Sequence, residues 1–270
     1  MKTFFTTILI FLSLLVLGQT PISVCSWNIK DFGQSKDDEE IDYIANTVKN
    51  YDVVAIQEVV AGKGGPQAVA RLHDALNRKG KKWDYIISEP TSGKQGSERY
   101  AFIWKTSRLQ KVGDAWLDKK FDVEIEREPY FITLSSEGKN FTLVSFHAIP
   151  KSKQPEKEIA YFKFFPQRYK SRDLIFVGDF NLPQSHSVFN PLKNMGYVPA
   201  LKGQKTSLRQ TCLDSDCLAS EFDNIFSNKS AFEVHGAGII PFYQAFEDFK
   251  QARAISDHVP VFLKFSFAAN

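Results

Sequence analysis

The sequence predicts an α/β protein in which two packed, mixed and largely antiparallel sheets lie between outer helices, a four-layer α/β/β/α sandwich. Three observations predict this class. About nine short apolar segments have the character of strands. Several neighbouring segments are joined by connections short enough for antiparallel pairing. Amphipathic helices alternate with strands in the first half of the chain and become sparse in the second half.

The first half begins with strands at 22–28 and 51–59 that flank a predicted helix. Ser35, three residues before Asp38, is the expected N-cap of this helix. A second helix is expected to follow Pro66 and to end at Gly80. The apolar positions that recur at helical spacing are Ile41, Ile44, Ala45 and Val48 in the first helix, and Val69, Leu72 and Leu76 in the second.

The later predicted strands are apolar runs bounded by turn-forming residues. They lie at 83–89, 99–105, 130–136, 141–147, 174–180, 221–227 and 258–267. Helices are expected at about 155–165 and at 187–195, the second ending at Gly196. Since the chain has no internal repeat and no long Pro/Gly linker, residues 19–270 are expected to form a single domain.

Residues 1–18 have the order of a secretory signal peptide. One lysine precedes an apolar run, and small or polar residues follow near Gly18. The run is about 15 residues long, which is shorter than the roughly 20 needed to span a bilayer. Cleavage near Gly18–Gln19 and export, to the medium or the periplasm, are therefore favoured over a membrane anchor.

Charge and cysteine content set further expectations. The formal net charge of +3 is nearly neutral, so it neither requires nor excludes a nucleic-acid partner. Cys212 and Cys217 lie close together in a polar loop and are candidates for a disulfide in an oxidising compartment. Cys25 lies inside an apolar strand, where a buried, unreactive thiol is expected.

Polar residues that can support chemistry stand at the ends of six predicted strands. Each one alone is most often a turn-forming residue. Crowded carboxylates, however, add no stability to a fold unless a cation or a proton offsets their repulsion. A shared functional site is therefore expected from Asn28, Glu58, His147, Asp179, Asn181, Asp223 and the pair Asp257–His258.

The residue types in this set favour hydrolysis of a phosphate ester. Oxygen ligands such as Asn28, Glu58 and Asp257 suit Mg²⁺ or Mn²⁺ rather than zinc. Two histidines, each with a carboxylate available, can serve as base and acid on opposite sides of one phosphorus. The chain contains no Walker, GxGxxG or GxSxG motif, so nucleotide-switch, dinucleotide-binding and serine-hydrolase functions lack support.

Eight blocks of the sequence resemble the endonuclease/exonuclease/phosphatase family, and within it the deoxyribonuclease I type. They occur in the family's order and cover nearly all of the chain after residue 18. The blocks are WNIKDFG (27–33), YDVVAIQEV (51–59), SEP and SERYAF within 88–102, REP (127–129), SFHAIP (145–150), GDFN (178–181), FDNI (222–225) and SDHVPV (256–261). The resemblance implies the deoxyribonuclease I-like sandwich fold.

The resemblance implies a metal site and a general base. Glu58, Asn28 and Asp257 would hold a divalent cation, expected to be Mg²⁺ with Mn²⁺ as the alternative, against a phosphate oxygen. His258, oriented by Asp223, would accept a proton from the attacking water.

The resemblance also implies a general acid and a set of groups around the phosphate. His147, paired with Glu98, would protonate the leaving 3′ oxygen, so the products would carry 5′ phosphates. Arg127, Asn181 and Asp179 would surround the scissile phosphate, with the first two donating hydrogen bonds to its developing charge.

The sequence departs from the deoxyribonuclease pattern where that enzyme grips duplex DNA. Val60 stands where the family has an arginine that reaches into the minor groove, and Gly96 stands in place of an aromatic residue. Such insertions support duplex binding that does not depend on sequence. Phosphate contacts could come instead from Lys81, Lys82, Lys94, Lys151 and Lys153. A structural Ca²⁺ is a further expectation, and the family's threonine near the phosphate matches Thr206 or Thr211.

The expected function is that of a secreted, metal-dependent DNA endonuclease with little sequence preference, acting as a monomer without a stable protein partner. One alternative keeps the chemistry but acts on phospholipid or phosphoinositide head groups. The other is a catalytically silent binding or toxin subunit.

Overall fold

A computed structural model describes residues 19–93, 96–170, 173–214 and 216–269. The predicted signal peptide and Lys94 lie outside these residues. The elements of the described chain, in order, are β1 (Ile22–Phe32), α1 (Asp38–Val48), β2 (Val53–Val60), α2 (Gly64–Arg78), β3 (Trp83–Ile87), β4 (Glu98–Lys105), β5 (Gln110–Lys111), β6 (Trp116–Leu117), β7 (Tyr130–Ser136), β8 (Lys139–His147), α3 (Glu156–Ile159), α4 (Phe165–Arg168), β9 (Leu174–Asp179), α5 (Asn190–Asn194), β10 (Tyr197–Pro199), β11 (Leu208–Leu213), β12 (Asp216–Leu218), β13 (Asp223–Asn228), β14 (Phe232–Ile239), α6 (Phe249–Ile255) and β15 (Val261–Phe267).

The strands form two large sheets and one short hairpin. The first sheet has the order β14-β15-β1-β2-β4-β3, and the second has the order β10-β13-β9-β8-β7-β5, with β6 also paired to β7. Each large sheet contains one parallel pair, β1–β2 in the first and β8–β9 in the second, and its other pairs are antiparallel. The prediction of two mixed, largely antiparallel sheets is confirmed.

Three apolar clusters define four layers. The cluster between the sheets contains buried residues such as Val24, Phe102 and Leu263 from the first sheet and Leu143 and Val177 from the second. A second cluster packs the outer face of the first sheet against α1, α2 and α6. A third, rich in phenylalanine, packs the outer face of the second sheet against α3, α4 and α5. This arrangement confirms the α/β/β/α sandwich.

Several element boundaries differ from prediction because a competing local group caps or interrupts the helix. Asp37, not Ser35, caps α1: its carboxylate accepts from the Glu40 amide at 2.8 Å, and the Glu40 carboxylate accepts from the Asp37 amide at 3.0 Å. The helix expected at 155–165 is divided into α3, a 3₁₀ turn and α4, and Pro166, which lacks a backbone N–H, lies in the first turn of α4, where that N–H is not needed.

The prediction missed helix α6 and six strands: β5, β6, β10, β11, β12 and β14. Four of these strands have only two or three residues, too few to leave a pattern in the sequence. Glycines at 236 and 238 disturb the alternating pattern of β14, whose pairing with β15 shifts register between Val234 and Gly236. Helix α6 has seven residues, two of them buried, so its apolar stripe is short.

The cysteines follow the sequence-based expectations. A disulfide joins Cys212 in β11 to Cys217 in β12. Cys25 is a free, fully buried thiol in the cluster between the first sheet and its helices, and burial raises its pKa.

Among the described residues, no helix is both long enough and apolar enough to cross a membrane.

Candidate active site

Three neighbouring strands of the second sheet place His147, Asp179 and Asp223 side by side. His147 ends β8 and pairs in parallel register with Asp179 at the end of β9, while Asp223 begins β13 and pairs with Asp179 from the other side. Gly178 makes this close packing possible. It has φ +135, and an added Cβ would collide with the carbonyl group of Phe146 on β8.

The first sheet contributes Asn28, Glu58 and Glu98 to the same edge. Glu58 has φ +60 and lies where the pairing of β2 with β4 is irregular, a backbone feature that can turn a side chain away from the strand's regular alternation. The Asn28 amide nitrogen donates to Glu58 Oε1 at 3.0 Å and to Asp179 Oδ2 at 3.2 Å. Asn28 thereby connects the carboxylates of the two sheets.

His147 forms a buried pair with Glu98. Its Nδ1 lies 2.9 Å from Glu98 Oε2, and Arg127 Nη1 donates to the same oxygen at 2.8 Å. Burial is the largest effect and acts to lower the pKa of His147, but the charge and hydrogen bond of Glu98, together with the charge of Asp179, leave that pKa raised. Burial acts to raise the pKa of Glu98, but the charges and hydrogen bonds of His147 and Arg127 leave that pKa lowered.

His258 forms a second buried pair with Asp223. Its Nδ1 lies 2.7 Å from Asp223 Oδ2, and its amide donates to Ser256 Oγ at 3.0 Å. Burial acts to lower the pKa of His258, but Asp223 and then Asp179 raise it to about 10. Burial raises the pKa of Asp223, although the charge of His258 opposes that rise. The pair therefore holds a shared proton up to alkaline pH.

Both imidazoles direct their second nitrogen at one oxygen. His147 Nε2 lies 3.5 Å from Asp179 Oδ2, and His258 Nε2 lies 3.6 Å from the same atom. Because each Nδ1 is occupied by its own carboxylate, both Nε2 atoms are available to a ligand near Asp179. The arrangement can place a proton acceptor and a proton donor around a single reacting group.

Asn181 and Arg127 share one backbone acceptor beside this centre. The Asn181 side chain donates to the Ala148 carbonyl at 3.0 Å, and Arg127 Nη2 donates to it at 2.6 Å. The Asn181 amide donates to Asp179 Oδ1 at 2.8 Å, and this residue has φ +51. Both donor side chains are thus fixed next to Asp179.

A cavity of about 290 Å³ opens onto the site. Seven of the ten predicted site residues line it, while Asn28, Glu98 and Asp223 lie buried behind them. Asp257 also lines the cavity, and its carboxylate lies 3.7 Å from Arg253 Nη2. The lining residues are Glu58, Gly96, Glu126, Arg127, His147, Ile149, Pro150, Lys153, Asp179, Asn181, Asp257 and His258.

The donor atoms fit a hard divalent cation. Asp179, Asp223 and His258 each offer a ligand atom, and these three atoms lie within 4.8 Å of one another. This group differs from the predicted set of Glu58, Asn28 and Asp257. Asn28 Oδ1 supports the predicted set, because this buried oxygen has no hydrogen-bond partner among the described residues. Carboxylate and amide oxygens of this kind are preferred ligands of Mg²⁺ and Ca²⁺.

Two further residues support the site: Thr206, which was one of two candidates from the sequence, and Gln57, which was not predicted. Thr206 Oγ1 accepts from the Asp223 amide at 2.9 Å, which places Thr206 at the site while Thr211 lies on the β11–β12 hairpin. The buried Gln57 side chain donates to Ser145 Oγ at 2.8 Å and links the two sheets beneath the site. Gln57 directly precedes Glu58, and this position in the sequence could have indicated that it supports the site.

The two departures from the deoxyribonuclease pattern lie close to the cavity. Gly96 lines it, and Val60, two residues after the cavity-lining Glu58, is an exposed apolar side chain. Lys153 lines the cavity as well, whereas Lys81, Lys82 and Lys151 are exposed and are not among its lining residues. Lys153 is thus the described lysine of the predicted set that borders the cavity.

Comparison with known proteins agrees with this geometry. Deoxyribonuclease-1-like 2 of Mus musculus is 26% identical over 277 residues, covering 93% of this chain and 94% of that protein. Deoxyribonuclease-1 of Bos taurus is 27% identical over 271 residues, covering 92% and 93%. An endonuclease/exonuclease/phosphatase family protein from Bacteroides thetaiotaomicron has the same fold, with a TM-score of 0.67 at 16% identity over 93% of this chain and 99% of that one.

The family's sequence pattern covers most of the chain and spans the whole site. It matches residues 25–258, from the buried Cys25 of β1 to the second histidine of the cavity. The packed mixed sheets and the matched sequence lead to the same conclusion: this chain belongs to the Endonuclease/Exonuclease/phosphatase family.

Proposed function

We propose that this protein is a divalent-metal-dependent endonuclease that hydrolyses DNA phosphodiester bonds with little sequence preference. The observation that carries the proposal is the approach of two histidines, each bonded to its own carboxylate, to the same oxygen of Asp179. The similarity to deoxyribonucleases along most of the chain supports DNA as the substrate.

His258 is the proposed general base. Its Nε2 faces the cavity and would accept a proton from the attacking water, while Asp223 holds Nδ1 and stabilises the imidazolium that forms. Asp179 lies 3.6 Å from this nitrogen and would orient the water.

His147 is the proposed general acid. Glu98 raises its pKa, which favours the protonated form that must donate to the leaving 3′ oxygen. The products would then carry 5′ phosphates. Arg127 and Asn181 would donate hydrogen bonds to the phosphate oxygens as their negative charge increases.

Glu58, Asn28 and Asp257 are the proposed ligands of Mg²⁺, with Mn²⁺ as the alternative. When bound, the cation would supply positive charge that polarises the phosphate and lowers the pKa of the nearby imidazoles. That decrease matters for His258, because a base must be neutral before it can accept a proton.

Export is part of the proposal. Residues 1–18 have signal-peptide character, and the Cys212–Cys217 disulfide fits an oxidising compartment.

Substrate preference is tested by comparing the activity of the protein on three classes of substrate. The mature protein is incubated with plasmid DNA, RNA and phosphoinositide or sphingomyelin liposomes, in Mg²⁺ or in EDTA. We expect Mg²⁺-dependent nicking of DNA. His147→Ala should reduce the rate by roughly 10²- to 10⁴-fold, the range for loss of a general acid.

The other outcomes reject parts of the proposal. Nicking that persists in EDTA or in the His147→Ala variant would exclude this mechanism. Release of lipid head groups with intact DNA would assign the lipid function, which Val60 and Gly96 favour because they replace the groove-inserting residues. No turnover of any substrate would indicate a silent binding subunit.

A further inference from the structure

Glu158 is a buried carboxylate outside the residues assigned to catalysis. It lies on α3, is 2% exposed and accepts two backbone hydrogen bonds, from the Glu126 amide at 2.7 Å and from the Ile149 amide at 2.8 Å. Burial of a carboxylate is costly, and these two bonds offset part of that cost. The Glu158 carboxylate therefore holds two backbone segments together.

Both amides belong to segments that form the wall of the cavity. Glu126 directly precedes Arg127, and Ile149 directly follows Ala148, whose carbonyl accepts from Arg127 at 2.6 Å. Glu126 and Ile149 also line the cavity. Glu158 and Arg127 thus connect the same two segments, one through its carboxylate and the other through its guanidinium.

This double connection limits where the Arg127 guanidinium can lie. Arg127 also donates to Glu98, the partner of His147, so a shift of its backbone would disturb both the phosphate donor and the acid pair. A displacement of about 1 Å at a catalytic group can cost 10²-fold in rate.

We infer that Glu158 is a positioning residue, which fixes the Arg127 segment and the segment after His147 so that the guanidinium faces the scissile phosphate. The inference rests on the proposed function for its effect on rate, but the two backbone hydrogen bonds can be tested without it.

The variant Glu158→Gln tests the inference, since it keeps the shape of the side chain, removes its charge and replaces one of the two acceptor oxygens with an NH₂ donor. Glu156→Gln is the matched control, because Glu156 lies on the same short helix and is not among the residues that line the cavity. We expect Glu158→Gln to lower kcat for plasmid nicking by roughly 10- to 100-fold. KM should stay within about twofold, as for loss of an interaction made in the transition state.

Amide hydrogen exchange gives the readout that does not need activity. In EDTA, Glu158→Gln should speed exchange at whichever of the Glu126 and Ile149 amides loses its acceptor oxygen, and should shift the Arg127 Nε–H resonance. Glu156→Gln should leave both amides and this resonance unchanged. If the wild-type protein cuts no DNA, the proposed function is wrong. The amide exchange rates and the Arg127 Nε–H resonance still test the positioning role in that case.

Two results would overturn the inference. One is a kcat for Glu158→Gln equal to that of Glu156→Gln. The other is unchanged exchange at both amides. The first result would overturn the inference even if the melting temperature of Glu158→Gln were lower, because Glu158 would then contribute to stability and not to catalysis. The variant Glu158→Asp tests the inference if Glu158→Gln does not fold. It keeps the charge on a shorter side chain, and its kcat should lie between those of wild type and Glu158→Gln.

Discussion

At the scale of single residues, the site is defined by histidines that are paired with buried carboxylates. His258 shows the strongest effect, because both Asp223 and Asp179 act on the same imidazole. A positive charge bound nearby would oppose these carboxylates. Under the proposed function, the protonation of His258 would therefore differ between the metal-free and the metal-bound protein.

The metal-free protein should lose stability at alkaline pH. The pKa of His258 rises from 6.5 to about 10 on folding, so its contribution to the free energy of unfolding is complete below pH 6.5 and is lost as pH rises through about 10. Urea unfolding in EDTA across this range measures the decrease. Asp223→Asn should flatten the pH dependence; an equally steep decrease in that variant would contradict the assignment.

Metal affinity separates the two possible ligand groups. If Glu58 is a ligand, Glu58→Gln should raise the Kd for Mn²⁺ by at least about tenfold, the equivalent of 1.4 kcal/mol. Asp223→Asn should change that Kd by less than about threefold. Isothermal titration calorimetry measures both. The opposite order would move the cation to the group of Asp179, Asp223 and His258.

At the scale of elements, strand ends and irregular backbone place the functional groups. Glu58, Gly178 and Asn181 all have positive φ. Glu58 lies where the pairing of β2 with β4 is irregular, Gly178 is the last residue but one of β9, and Asn181 lies two residues after the end of that strand. The parallel pair β8–β9 brings His147 and Asp179 into register. The geometry of the site therefore depends on backbone conformation as much as on side-chain identity.

Gly178→Ala should damage both stability and activity. A Cβ at this position meets the Phe146 carbonyl and requires φ +135, so we expect a loss of roughly 1–3 kcal/mol in the free energy of unfolding. DNA cleavage should fall as well, because Asp179 is the next residue. Gly236→Ala is the control, since a Cβ there has open space in β14. Equal stability of the two variants would contradict this account.

The sequence predicts the long central strands better than it predicts the short strands and the connections. Strand β7 matches its predicted range, and β8 and β9 differ from theirs by two residues or fewer, because the predicted segments are mostly apolar and nearly all of their residues are buried. Strand ends likewise identify the residues that the fold brings together around Asp179. Glu158 could not be found in this way, because its partners are backbone amides of distant segments, which leave no residue pattern.

At the scale of the whole molecule, the site lies where the two sheets meet. Asn28 of the first sheet donates to Asp179 of the second, and Gln57 donates to Ser145 across the same boundary. A cation bound between Glu58 and its neighbours would connect the sheets further. Binding at the site should therefore be measurable as stability of the entire fold.

Divalent cations should raise the melting temperature. At a Mg²⁺ concentration of 100 times Kd, binding adds about 2.7 kcal/mol to the free energy of unfolding. For a protein of this size, each kcal/mol corresponds to a shift of roughly 2–4 °C. Scanning calorimetry in Mg²⁺ and in EDTA tests this expectation, and Glu58→Gln should remove most of the shift. A shift that is unchanged in Glu58→Gln would place the cation elsewhere.

The most direct test of the central claim is the chemistry of the cut ends. Plasmid DNA is nicked by the mature protein in Mg²⁺, freed of protein and treated with DNA ligase, which joins only a 5′ phosphate to a 3′ hydroxyl. If His147 protonates the leaving 3′ oxygen, ligase alone should reseal the nicks. Nicks that reseal only after the 3′ phosphate is removed and the 5′ end is phosphorylated would contradict the account.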